Sequence, residues 1–113
     1  VTAAVAAHVV RTIANPAFLQ RVAERGEQLT RLLEALVDSK SEVVERRGIG
    51  MLQGLAIEAD DPPARVAAVM NQCREAGVLL LRSSSNVIRL APPLVIGERE
   101  LERGVAILAD QLN

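Results

Sequence analysis

A chain of 113 residues, half of them hydrophobic, has room for one domain with a modest core that buries about two-thirds of its unfolded surface. Its 13 basic and 14 acidic residues are interspersed and leave a formal net charge of -1. That balance argues against both a nucleic-acid footprint and adhesion to an anionic membrane, and leaves small molecules or proteins as partners. No apolar stretch approaches the roughly 18 residues of a membrane span.

The stretch VTAAVAAHVVRTIA, residues 1–14, is rich in helix-favouring alanine and carries His8, Arg11 and Thr12 along one narrow polar stripe. A helix apolar around most of its circumference is normally buried on several sides, so residues 1–14 are expected to link this domain to a larger one. Val1 stands where an initiator methionine is usual, which fits a segment of a longer protein. Residues 15–113 then form the domain itself.

Asn15 followed by Pro16 predicts a cap and first turn for a second helix, whose apolar face runs from Phe18 through Leu29, Leu33 and Leu36 to about Val37. Glu27 and Arg31 are expected to pair on its wet side. VVERRGIGMLQGLAIEA is rich in β-branched residues and broken by Gly48, Gly50 and Gly54, which predicts strand, bend, strand. Asp60 and Asp61 before Pro62 and Pro63 start another helix, with Val66, Val69, Met70 and Cys73 on its apolar face and a stop at Gly77. VLLLR and NVIRLA flank the loop Ser83 to Ser85 as the arms of a hairpin. Beyond Pro92 and Pro93, Glu98, Glu100 and Glu102 suit the positive end of a last helix, which runs to Leu112. Helices on one face of a largely antiparallel sheet, an α+β layer domain, are the expected architecture.

Several residues invite chemistry and are explained without it. The glycines follow G-x-G-x-x-x-G and lead into a strand, whereas a phosphate loop needs a helix N-terminus. His8 is the only histidine and Cys73 the only cysteine, so a metal site or an activated nucleophile lacks its other members. A lone thiol on an apolar helix face is a packed thiol, and the absence of any possible disulfide fits a reducing cytoplasm. Asp60 and Asp61 serve as caps. Lys40, the only lysine, lies in an SKSE loop without the desolvation that activates an amine.

Arg89 is different. Alternation along a strand places Ile88 and Leu90 on one side and Val87, Arg89 and Ala91 on the other, away from the core. A guanidinium there meets either water or an anion, and its planar fork matches a carboxylate in a way that an ammonium does not.

The strings NVIRLAPPLVIGERELERGVAIL and RRGIGMLQGLAIE resemble the closing segment of the class III (ornithine-type) pyridoxal-phosphate aminotransferases, and the resemblance covers essentially the whole chain. It implies the C-terminal small domain of a fold-type I enzyme, with residues 1–14 as the linking helix. MLQGLAIE together with LLLRSSSNVIRLAPPLVI is most similar to the acetylornithine subgroup, although the 4-aminobutyrate and ornithine subgroups share the NVIR and PPL strings. The family's usual helix cap is replaced here by Gly97.

The resemblance implies a homodimeric transaminase that moves the amino group of N-acetylornithine to 2-oxoglutarate in arginine biosynthesis. Arg89 matches the arginine that grips the substrate α-carboxylate. The lysine and aspartate that hold pyridoxal 5'-phosphate, and its phosphate loop, belong to an upstream region, so the segment alone is expected to be inactive. The competing expectation is a helix–sheet module that binds a partner and catalyses nothing.

Overall fold

The computed structural model describes residues 15–113, and the expected linking helix, His8 included, lies outside the described residues. Three helices, α1 (Pro16–Ser39), α2 (Pro62–Glu75) and α3 (Glu98–Gln111), alternate with four strands, β1 (Val43–Ile49), β2 (Leu52–Ile57), β3 (Leu81–Ser84) and β4 (Val87–Leu90). The strands form one sheet in the order β1-β2-β4-β3, every neighbouring pair antiparallel. This is the expected α+β layering, with helices against one face of the sheet.

Local chemistry sets the boundaries. The Asn15 side chain accepts from the N–H groups of Ala17 and Phe18 at 2.9 and 3.3 Å, and Pro16 fills the first helical position without wasting a donor. Asp61 caps α2 in the same way by accepting from Ala64 N–H, and Gly77 ends the helix at φ +96°. Gly97 offers α3 no side-chain cap, so Glu98 and Glu100 in the first turn supply the charge that favours the helix dipole.

Leu29, Leu33 and Leu36 of α1, Val66, Val69 and Cys73 of α2, and Leu101, Val105 and Leu108 of α3 close over Val43, Leu55, Ile57, Ile88 and Leu90 of the sheet. The two edge strands fasten their margins to the helices with arginine. Arg46 of β1 reaches Glu34 of α1 at 2.7 Å, and Arg82 of β3 donates to the Pro63 carbonyl of α2 at 3.0 Å.

Gln53 is the one polar side chain deep under α1, only 1% exposed. Its amide donates to Gly26 O, Thr30 Oγ1 and Gly50 O at 3.2, 2.8 and 2.7 Å, while its oxygen accepts from Arg46. This network ties the β1–β2 turn to the helix. The approach is so close that a Cβ at Gly26 would stand 3.0 Å from Gly50 Cα.

Near the end of the chain Arg65 grips Glu42 with two nitrogens, at 2.9 and 2.7 Å, and also donates to Gln111 O. Glu42 accepts in addition from Asn113 N–H. This clamp joins the residue before β1, helix α2, the end of α3 and the chain beyond it. The Glu27–Arg31 pair expected from helical spacing is not among the ion pairs of the described residues, where both side chains are exposed.

Candidate functional site

Among the described residues the four strands carry helices on one side, so β1, β2, β4 and β3 present their other residues on a second, open face. Register decides which side chains meet there. Arg47 of β1 lies opposite Gly54 of β2, Gly54 opposite Arg89 of β4, and Arg89 opposite Leu81 of β3. Residues paired in this way point to the same side of a sheet. Arg47 and Arg89 therefore share the open face, two strand spacings or about 10 Å apart, with a residue lacking any side chain between them.

Their electrostatic settings differ. Arg47 is ion-paired through Nε to Glu45, its neighbour on the same face. Arg89, exposed as expected, makes one side-chain hydrogen bond, from Nη2 to Ser83 Oγ at 2.8 Å, and has no acidic partner among the described residues. A hydroxyl leaves the positive charge uncompensated and most of the five guanidinium donors free. An anion with two oxygens in one plane is the ligand that such a fork matches.

Two details of this segment go beyond what strand alternation foresees. Val87, placed on the face away from the core, is buried, because it packs over the gap left by Gly54: a Cβ there would come within 3.1 Å of Val87 Cγ1. Ser83 and Ser84, expected in the hairpin loop, belong to β3, where a bulge shifts the register between Arg82 and Ser84. Sequence reasoning gave no role to Ser83, the residue that touches Arg89, and a run of three serines carries no signal that singles one out.

The remaining candidates fall elsewhere. Gly48 and Gly50 take φ of +97° and +63° in the β1–β2 turn, and the chain continues as strand β2, so the turn offers no helix N-terminus to a phosphate. Asp61 is occupied in capping, and Asp60 is exposed beside it. Cys73 is fully buried, and burial pushes its thiol above the usual range, away from the reactive thiolate. Lys40 caps the C-terminus of α1 before β1 begins and is partly buried, not fully exposed as its loop position suggests. Among the described residues, no cluster of three or more His, Cys, Asp or Glu side chains is placed to hold a metal ion, and no helix is long and apolar enough to cross a membrane.

Comparison with known proteins agrees with this arrangement over nearly its full length. Residues 1–112 match the model of the family Aminotransferase class-III. The acetylornithine aminotransferase of Haemophilus ducreyi is 36% identical over 108 residues, which are 96% of this chain and 25% of that protein. The mitochondrial acetylornithine aminotransferase of Alnus glutinosa is 34% identical over 88% of the chain and 21% of its own length. The chain thus spans about a quarter of these relatives.

Among solved structures, an aminotransferase from Bacillus anthracis superposes with a TM-score of 0.78 at 29% identity, over 88% of this chain and 25% of that one. Acetylornithine aminotransferase from Elizabethkingia anophelis gives 0.79 at 26% identity, over 88% and 26%. Fold and family match coincide, and the chain belongs to the class III aminotransferase family.

Proposed function

We propose that this chain is the C-terminal small domain, with its linking helix, of an aminotransferase, and that Arg89 grips the α-carboxylate of its amino-acid and 2-oxo-acid substrates. The observation that carries this reading is the free guanidinium fork of Arg89 on the open face, held by a neutral hydroxyl and not neutralised by an acid. The relatives named acetylornithine aminotransferase favour N-acetylornithine as the donor. 2-Oxoglutarate as the acceptor, a place in arginine biosynthesis and a cytoplasmic homodimer follow from the same kinship.

Class III aminotransferases depend on pyridoxal 5'-phosphate, and the described residues do not form its site. The cofactor needs an amine and a phosphate cradle. The only lysine of the chain is at the C-cap of α1, and the only glycine-rich turn leads into a strand. The cofactor is therefore assigned to an upstream region. This segment contributes orientation, a large component of rate when the geometry is held tightly.

Arg89→Lys in the protein that also carries the cofactor region tests this. The charge stays and the fork is lost, so kcat/KM for the α-amino acid falls about 30-fold to 4,000-fold, the cost of one desolvated charged contact. The decarboxylated amine, which has no carboxylate to grip, loses much less. An unchanged ratio of the two kcat/KM values in a folded variant would reduce Arg89 to a solvated strand residue.

A further inference from the structure

We propose that Ser83 is a positioning residue for Arg89: the bulge in β3 turns its hydroxyl onto the open face, where it holds one guanidinium nitrogen and aims the other donors at the substrate carboxylate. This rests on the carboxylate-gripping role of Arg89. The register is the first support. Leu81 pairs with Arg89 and Arg82 with Ile88, but the next pair is Ser84 with Val87, so Ser83 is the extra residue of the bulge. A bulged residue is released from the ladder and re-aims its side chain, which is why bulges recur beside active sites. Here the released hydroxyl accepts from Arg89 Nη2 at 2.8 Å.

The chemistry of the partner is the second support. Three arginines of this fold, Arg46, Arg47 and Arg65, are held by carboxylates: Glu34, Glu45 and Glu42. Those pairs fix the side chain and cancel its charge together. Ser83 fixes a guanidinium and leaves it cationic, as neutral acceptors do for Arg74 and Arg82, and of these three arginines it is Arg89 that the register places on the open face opposite Gly54. Gly54 lies opposite Arg89 in the ladder, and there a Cβ would stand 3.1 Å from both Ile88 O and Val87 Cγ1, so close packing of the sheet accounts for the glycine.

Four variants of the full-length holoenzyme separate the possibilities, each read as the ratio of kcat/KM for the α-amino acid to kcat/KM for its decarboxylated amine. Ser83→Ala lowers the ratio about 3-fold to 10-fold, the factor that one ordinary net side-chain hydrogen bond at an exposed site supplies, with most of the loss in KM for the amino acid. Ser83→Thr, which keeps the hydroxyl, stays within about 2-fold of wild type. Ser83→Asp supplies the competing carboxylate and lowers the ratio further than Ser83→Ala. Arg89→Lys is the reference. A collapsed ratio in Arg89→Lys alongside a wild-type ratio in Ser83→Ala would leave Arg89 gripping the substrate unaided and would overturn the role of Ser83. Equal losses in the Ala and Thr variants would overturn it too, because the hydroxyl would not be the active feature. An unchanged ratio in Arg89→Lys would remove the carboxylate reading and Ser83 with it.

Discussion

On the face turned to the helices, the sheet sets Val43, Leu55, Ile57, Ile88 and Leu90 against three helical stripes, and its one buried amide, Gln53, finds a partner for each group it offers. On the other face the same strands present Glu45, Arg47, Leu52, Gly54, Leu81 and Arg89, of which Leu52 and Leu81 are each 52% exposed. Volume and polar satisfaction are fixed on the first face, and charge is left available on the second. Stability and substrate recognition are therefore expected to respond to different substitutions, even at adjacent residues of one strand.

The largest stability loss is expected on the covered face. Leu55 is fully buried between the helices and its neighbouring strands, and Leu55→Ala removes its packing and leaves a cavity, a cost of about 2–5 kcal/mol. Urea unfolding followed by circular dichroism measures it. A loss below about 1 kcal/mol would mean that the site collapses freely and that the two faces are less distinct than their burial implies. Gln53→Ala is next. It strips donors from Gly26 O, Thr30 Oγ1 and Gly50 O together and is expected to cost about 1–3 kcal/mol in the same assay.

Much of the covered face was legible in the sequence, and the reason is periodicity. The apolar spacing in α1 and α3, the Asn15 and Asp61 caps and the glycine-broken strand pair all follow from interactions within a few residues. The contacts that join distant segments were not legible. Glu42 and Arg65 are 23 residues apart, as are Thr30 and Gln53, and no spacing rule connects them. The helical pair Glu27–Arg31 was expected on spacing alone, whereas the pairs that form, Arg46–Glu34 and Arg65–Glu42, cross between elements where partial burial favours them. On the open face the alternation placed both Arg89 and Val87 on the correct side but did not foresee that Val87 is buried, because alternation records direction and not whether a neighbouring glycine leaves a gap to fill. The bulge at Ser83 was invisible for a similar reason: it is a property of the pairing between β3 and β4 and not of either strand alone.

The Glu42–Arg65 clamp sharpens the comparison through pH. Arg65 beside it holds the Glu42 carboxyl below its ordinary value, with Asn113 N–H contributing in the same direction. A carboxyl whose pKa is lower in the folded state stabilises that state above its unfolded pKa, about 4.3, and loses the contribution as pH falls through the folded value. Glu42→Gln removes this dependence and leaves Arg65 half-partnered, so it is expected to cost about 1–3 kcal/mol at pH 7. The difference from wild type narrows as pH drops below about 4. Thermal melts of both proteins from pH 7 to pH 3 check this, and a difference independent of pH would show that the pair contributes packing and not charge.

The smallest expected effect on stability is that of Arg89→Lys, and its smallness is informative. Arg89 directly follows Ile88, which is fully buried, yet its own side chain lies on the open face and makes one exposed hydrogen bond to Ser83. Lysine keeps the charge, the aliphatic stem and a donor, and it replaces a side chain that is exposed. Unfolding free energy should change by no more than about 0.5 kcal/mol, the range of surface substitutions that leave cores, caps and buried pairs alone. Ile88→Ala, one residue away, should cost about 2–5 kcal/mol. Denaturant midpoints for the two variants give the contrast directly. Comparable losses would mean that Arg89 takes part in the packing of the sheet, and the fall in amino-acid turnover expected for its lysine variant would then reflect a damaged fold. A negligible loss beside a large one leaves that fall to be explained by the lost fork, since on this strand the residue that holds the domain together and the residue proposed to hold the carboxylate are neighbours that point in opposite directions.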